Sequence, residues 1–414
     1  MGFHSLVEFP AAMSFLAEEG IQKPTEVQAV VIPKLISGES VDVLAPTGSG
    51  KTISYLIPTV YHIKEQEKSR GGVVDRPSVI VLAPTRELVG QIVAQYKKLS
   101  HHAKVRVRHI VGGDHDAKIK LCARTDILIS APGKLAQALK KKLIDVTDVK
   151  YLIFDEADQL FEKGLQNELI TIVQAIPKSV VIGLFSATML EDMSSRKETL
   201  FGSKKFKVLN LHGANKVIPT IETYNMRVTT NEKNEMLALF LRRERRPGVV
   251  FVNRKEDAQR VFDFLRREFD KRNITLLHGG MSVEQRRVSY KLFLKEIGVM
   301  VCTDIAARGM DIKGLEWVLN YDLPSAAQYY IHRAGRVGRG EGNTGVVYNM
   351  VTPRDGEIIK EINQHIRNQT AFKPKEIPAM GNLKTKKDGK KDAGDGDKKK
   401  KFKKTPRYVR RRDD

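Results

Sequence analysis

The sequence predicts an α/β protein made of two tandem units, each a parallel sheet flanked by helices, followed by a basic tail. Three observations predict it. Apolar runs of four or five residues recur along the chain, as strands buried on both faces of a parallel sheet do. Stretches with helical apolar spacing lie between them, giving the alternation of βα units. A glycine-rich turn follows one early run, and an acidic turn follows a later one about 104 residues on. Both turns then sit at the carboxyl ends of strands, where open α/β sheets bind ligands.

The 414 residues suggest two or three domains, and 41% hydrophobic content suffices for a core in each. No run approaches 18 uncharged apolar residues, so no membrane span is expected. The N-terminus lacks the basic and apolar regions of a signal peptide. Leu6 stands where a myristoylation signal needs Ser or Thr. Cys122 and Cys302 are too few for a disulfide framework or a structural zinc site and read as core thiols in a reducing compartment. We therefore expect a soluble cytoplasmic protein, or a nuclear or nucleolar one if the source is eukaryotic. The net charge of +22 points to polyanionic partners. Residues 384–414 hold 15 Lys and Arg against 6 Asp, leaving +13 on the body, which favours nucleic acid.

Taken in order, residues 3–16 have helical spacing that stops at Gly20. Pro24 and Thr25 open a second helix with Gln28 on its first turn. Val41-Asp42-Val43-Leu44 is the first strand, followed by Ala45-Pro46-Thr47-Gly48-Ser49-Gly50-Lys51-Thr52. Glycines at 48 and 50 let backbone N–H groups face a phosphate. Lys51 would reach the β- and γ-phosphates, and Thr52 would bind Mg²⁺ at the positive end of the next helix. Residues 64–76, charged and glycine-containing, read as a loop. The strand at 78–82 ends in Pro84-Thr85-Arg86, a helix start suited to a sugar-phosphate backbone. Strands ending in Gly112-Gly113 and in Ala131-Pro132-Gly133-Lys134 repeat the pattern.

Tyr151-Leu152-Ile153-Phe154 then leads into Asp155-Glu156-Ala157-Asp158, and the strand at 180–185 into Ser186-Ala187-Thr188. Residues 209–219 read as the linker between a first domain, 1–208, and a second, 220–370. The second has strands at 249–252, 274–277 and 299–302, a helix at 255–269, and no phosphate loop of its own. It ends in His332-Arg333-Ala334-Gly335-Arg336-Val337-Gly338-Arg339, arginines at spacing three among glycines. Beyond 370 the pattern dissolves, and a disordered tail with salt-dependent phosphate attraction, or a localisation signal, is expected over 371–414.

These motifs, in this order over about residues 3–366, resemble those of the DEAD-box ATP-dependent RNA helicases. The resemblance implies two RecA-like domains that hydrolyse ATP with Mg²⁺ and close around RNA. It implies that Gln28 reads adenine with Phe3 bracing the segment, and that Thr47, Gly48, Ser49, Gly50, Lys51 and Thr52 hold the phosphates. Thr52 and Asp155 would hold the metal, Glu156 would polarise the attacking water, and Arg336 and Arg339 would reach the γ-phosphate as fingers. Asp311 would contact the ribose. Pro84, Thr85, Arg86, Gly113, Lys134 and Thr303 would contact the RNA backbone, while Ser186, Thr188 and His332 would couple phosphate state to domain closure. The chain departs from the family pattern at Ile21, Ala131, Lys134 and Val283, whereas Ala45 departs from the strict P-loop pattern but resembles the helicase form of the loop; of a Gln-x-x-Arg element only Arg286 is retained.

The activity expected is unwinding of short RNA duplexes or remodelling of RNA–protein complexes by a monomer, ribosome assembly among them. Neither domain alone would be a competent ATPase. An ATP-gated RNA clamp and a DNA-directed motor are the rival readings, separated by strand displacement and by stimulation with DNA.

Overall fold

The computed structural model describes residues 2–46, 48–72, 75–112, 114–161, 164–188, 193–211, 221–270, 272–295, 298–304, 315–338, 345–365 and 375–376. The first half holds strands β1 (Val41–Leu44), β2 (Val79–Leu82), β3 (Val107–Ile110), β4 (Ile127–Ser130), β5 (Tyr151–Asp155), β6 (Val181–Ser186) and β7 (Lys207–Asn210). The second holds β8 (Ile221–Arg227), β9 (Gly248–Phe251), β10 (Ile274–Leu277), β11 (Val299–Cys302), β12 (Trp317–Asn320), β13 (Gly345–Val351) and β14 (Lys375–Glu376).

Every pairing is parallel. The sheets run β3-β4-β2-β5-β6-β1-β7 and β10-β11-β9-β12-β13-β8-β14, which is one strand order used twice. Each sheet is covered on both faces. Along β2, Val79 and Val81 enter one apolar cluster while Ile80 and Leu82 enter another. Along β9, Val249 and Phe251 part from Val250 in the same way. A period of two with apolar residues at every position therefore gives two cores per sheet.

The structure differs from the sequence reading in four places. Residues 3–16 form a 3-10 turn, Phe3–Ser5, and a separate helix, Pro10–Glu18, because Pro10 fits the first position of a helix. The charged stretch from 64 continues the helix Lys51–Arg70 and stops at Gly71, whose φ of 69° is left-handed. Leu209 and Asn210 belong to β7, paired with β1, so the first sheet extends into the segment read as linker. Lys375 and Glu376 pair with β8 as β14, past the point where the pattern was expected to dissolve. The linker residues 212–220 and the tail beyond 376 lie outside the described residues.

Candidate nucleotide and RNA site

The phosphate loop leaves β1 anchored, since Ala45 N–H donates to the Ser186 carbonyl of β6 at 3.1 Å. Gly48 and Gly50 have φ of 79° and 88°. At Gly50 an added Cβ would lie 2.3 Å from Gln28 Nε2, so a side chain would break the fit between the loop and the helix Glu26–Ile36. Lys51 Nζ donates to the carbonyls of Ala45 at 2.6 Å and Pro46 at 2.9 Å. Thr47 lies outside the described residues.

Gln28 is a strut of this loop. Thr25 caps its helix, with Thr25 N–H donating to Gln28 Oε1 at 2.9 Å, while Gln28 Nε2 donates to the Gly50 carbonyl at 3.3 Å. Thr25 Oγ1 donates to the Ser49 carbonyl at 2.7 Å. Sequence reasoning gave this glutamine to adenine; the geometry places its amide between the capping segment and the loop. Phe3 is buried in the apolar cluster of the first half with Phe9 and Phe15.

At the end of β5, Asp155 is buried and its oxygens are taken separately. Oδ2 accepts from the Tyr55 hydroxyl at 2.7 Å and Oδ1 from Glu156 N–H at 3.0 Å. Burial, and next the charge of Glu156, push Asp155 up to about 6. Glu156 has φ 52°, a left-handed conformation that costs a non-glycine residue about 1–2 kcal/mol. Such strain persists where the surroundings enforce it, as at functional sites. Its Oε2, Ser49 Oγ and Ser186 Oγ are buried with no hydrogen-bond partner among the described residues. Buried polar atoms are normally satisfied, so each of these three can accept a polar ligand atom.

The donor set also fits a hydrated Mg²⁺. A hydroxyl, Thr52, lies in the first turn of the helix whose Tyr55 reaches the carboxylate of Asp155, and no group of three or more His, Cys, Asp or Glu side chains able to hold a metal occurs among the described residues. Mg²⁺ keeps most of its waters and takes one or two carboxylates together with phosphate oxygens.

Asp158 joins the halves. Its Oδ2 accepts from Thr188 Oγ1 at 2.6 Å and Thr188 N–H at 3.1 Å, and lies 3.2 Å from His332 Nε2. His332 Nδ1 is 3.4 Å from Gln159 Nε2. Burial would raise Asp158, but His332, followed by Thr188, holds it down to about 2. The coupling residues Thr188 and His332 thus meet on one carboxylate. Ser186 is tied to the loop only through its carbonyl.

Of the three clustered arginines, Arg333 is a buried support. Its five N–H groups go to Asp304 (2.6 Å twice), Asn320 (3.0 Å), the Asp322 carbonyl (2.6 Å) and Asn253 (2.8 Å). Its guanidinium also lies 5.0 Å from the Phe251 ring centroid. Full pairing offsets the desolvation cost of such burial. Arg336 is buried, with Nε donating to the His332 carbonyl at 3.1 Å. Arg339 and Asp311 lie outside the described residues.

The expected RNA contacts stand at strand ends. Pro84 and Thr85 follow β2, and Thr85 Oγ1 accepts from Leu88 N–H at 3.2 Å as the N-cap of the helix Arg86–Ala103. Arg86 lies over Gly112, where a Cβ would come within 2.2 Å of Arg86 Nη2. Gly113 is outside the described residues. Lys134, on the helix Pro132–Lys140, donates to Gln137 Oε1 at 3.0 Å, and Thr303 is buried just past β11. Arg286, left without a partner by the sequence, pairs with Glu87 at 3.1 Å across the halves. Sequence reasoning missed Tyr55, Arg333 and Glu87. An acid directly after Arg86 at a helix start was the available signal for Glu87.

Residues 25–195 match the family model of DEAD/DEAH box helicases, and 231–341 match the helicase conserved C-terminal domain. DEAD-box ATP-dependent RNA helicase 57 of Oryza sativa subsp. japonica is 33% identical over 377 residues, covering 90% of this chain and 68% of the relative. DEAD-box ATP-dependent RNA helicase 24 of Arabidopsis thaliana is 31% identical, covering 92% and 50%. The chain spans about half the length of several curated relatives it matches. Among solved structures, DEAD-box helicase Mss116 bound to ssRNA and UDP-BeF superposes with a TM-score of 0.80 at 25% identity, over 91% of this chain and 79% of that one. S. cerevisiae Dbp5 bound to RNA and ADP BeF3 superposes at 0.81 and 23% identity, over 91% and 95%, a likeness of fold. With its two RecA-like sheets, its motif order and that rice relative, the chain belongs to the DEAD-box ATP-dependent RNA helicase family.

Proposed function

We propose that this chain hydrolyses ATP with Mg²⁺ when RNA bridges its two halves, and uses the closed state to unwind short RNA duplexes or remodel RNA–protein complexes. The observation that supports it most is the junction at Asp158, where Thr188 of the first half and His332 of the second share one carboxylate beside the unpartnered Glu156 and Ser49. A site completed only by both halves makes closure the step that RNA can drive, and couples ATP and RNA reciprocally.

In this reading Gly48, Gly50 and Lys51 cradle the phosphates, and Lys51 exchanges the carbonyls of Ala45 and Pro46 for phosphate oxygens. Thr52 and Asp155 hold Mg²⁺ through water; when bound it neutralises charge on the phosphates. Glu156, without a partner at Oε2, orients the attacking water. Arg336, with Arg339, stabilises charge on the γ-phosphoryl group. Gln28 holds the loop against the base side, with Asp311 at the ribose. Pro84, Thr85, Arg86, Gly113, Lys134 and Thr303 would contact the RNA backbone, so recognition would be largely independent of base sequence.

We propose further that the chain acts as a monomer on ribonucleoprotein particles, pre-ribosomal ones among them, in the cytoplasm or the nucleus. The charge of +22 supports such partners, as do relatives named for pre-mRNA processing. ATP turnover measured with RNA, with DNA and with neither tests the reading, alongside strand displacement on a short duplex. RNA alone is expected to stimulate. Glu156→Gln is expected to retain ATP binding and lose at least about 10²-fold in turnover, the scale of a lost general base. Equal stimulation by DNA overturns the RNA assignment, and normal hydrolysis by Glu156→Gln overturns the role of Glu156.

A further inference from the structure

We propose that the buried Tyr55 hydroxyl is a positioning group for the metal, fixing the Asp155 carboxylate against the helix that carries Thr52. The proposal rests on the reading of Thr52 and Asp155 as the Mg²⁺ pair. Tyr55 lies three residues after Thr52 on the helix Lys51–Arg70, so the two side chains share a face. Its hydroxyl donates to Asp155 Oδ2 at 2.7 Å. The helix that carries Thr52 in its first turn therefore holds the Asp155 carboxylate directly, through Tyr55.

The ring cannot drift. It is fully buried, 5.0 Å from the Phe185 centroid and 6.4 Å from that of Tyr96. Phe185 stands beside Asp155 in the register of β5 and β6, so one packing contact sets both ring and carboxylate. For packing alone a phenylalanine would serve, and a buried hydroxyl is favourable only where it is bonded. With Oδ1 held by Glu156 N–H, the Tyr55 bond leaves Asp155 no freedom to rotate. Each oxygen keeps a further lone pair for metal-bound water. Second-layer partners of this kind change metal affinity about 10- to 100-fold when removed.

The test uses the full chain with ADP, and Mn²⁺ as a paramagnetic substitute for Mg²⁺, titrated by electron paramagnetic resonance. Tyr55→Phe is expected to weaken Mn²⁺ binding about tenfold, the low end of that range, while ADP affinity in EDTA stays unchanged. Thr59→Val, which removes a buried hydroxyl one turn further on that bonds Tyr96 instead, is expected to leave Mn²⁺ binding at the wild-type level. Mn²⁺ affinity in Tyr55→Phe within about twofold of wild type overturns the proposal. So does an equal loss in Thr59→Val, or an equal loss of metal-free ADP binding, since either reports general loosening of the helix. If the wild-type chain with ADP holds no Mn²⁺, the Thr52–Asp155 assignment falls as well; if it does and Tyr55→Phe matches it, only the role of Tyr55 falls.

Discussion

After β1 the chain turns through Gly48 and Gly50 into a loop that fits phosphate; after β8, its counterpart in the second sheet, it runs through Val228 to Thr229, which closes a capping box with Glu232. After β5 come Asp155 and Glu156, with one Glu156 oxygen unpartnered. After β12, the counterpart of β5, comes Asp322, held by Lys233 at 2.6 Å and by Asn253 N–H at 3.2 Å. The same scaffold therefore treats its polar groups in opposite ways at equivalent strand ends. Leaving a buried polar atom unsatisfied costs about 1–3 kcal/mol, and the first half accepts that cost at Ser49, Glu156 and Ser186, where a ligand would remove it. At the corresponding ends the second half closes its polar groups on one another. Asn225 of β8, Asn349 of β13 and Asn320 of β12 are linked at 2.9 Å and 2.7 Å, and Asn320 passes the chain to Arg333. The first half leaves polar atoms open at these ends, and the second ties its own into a network that ends on Arg333.

That contrast can be broken experimentally, most severely at Arg336. Arg336→Ala is expected to lower RNA-stimulated ATP turnover about 10³-fold, the low end for an arginine finger, with RNA affinity retained. A turnover within tenfold of wild type would leave the second half without a catalytic part. Arg333→Met removes the support and not the finger. Loss of one partner from a buried pair predicts about 3 kcal/mol of destabilisation, measured by urea unfolding with Trp317, the sole tryptophan, as the probe. Because Trp317 lies in the second half, the shift should be seen there directly.

A smaller effect is expected at the junction. Asp158 is held at about 2, below the ordinary carboxylate value of 3.8, so its ionised form stabilises the folded chain above about pH 3.8. That stabilisation is lost as pH falls through about 2. Asp158→Asn should therefore cost about 2 kcal/mol at pH 7, and the gap from wild type should close between about pH 4 and pH 2. A gap that stays constant with pH would mean that Asp158 acts through shape and not through charge.

The fold was legible because interior strands such as β2 and β11 are apolar at every position, as strands buried on both faces are. The loop at 48–52 was legible from its glycines at a strand end, and the acids at 155–156 became legible only beside that loop, since Asp322 shows a strand-end carboxylate in a purely structural use. Arg333 was not. Three arginines at spacing three look alike in sequence, and only the positions of Asp304, Asn253 and Asn320, distant in the chain, decide which is buried. Tyr55 was hidden for a related reason, since an aromatic on an apolar helix face reads as core until its hydroxyl is seen against Asp155. The helix through 64–70 was missed because charges on a solvated face resemble a loop, although Gly71 marked its end.

Lys51 has a consequence for the proposed function. Its ammonium donates to the carbonyls of Ala45 and Pro46, so under that proposal a phosphate would enter by displacing two backbone partners. The same two carbonyls would receive the lysine again on release, which would ease the departure of product.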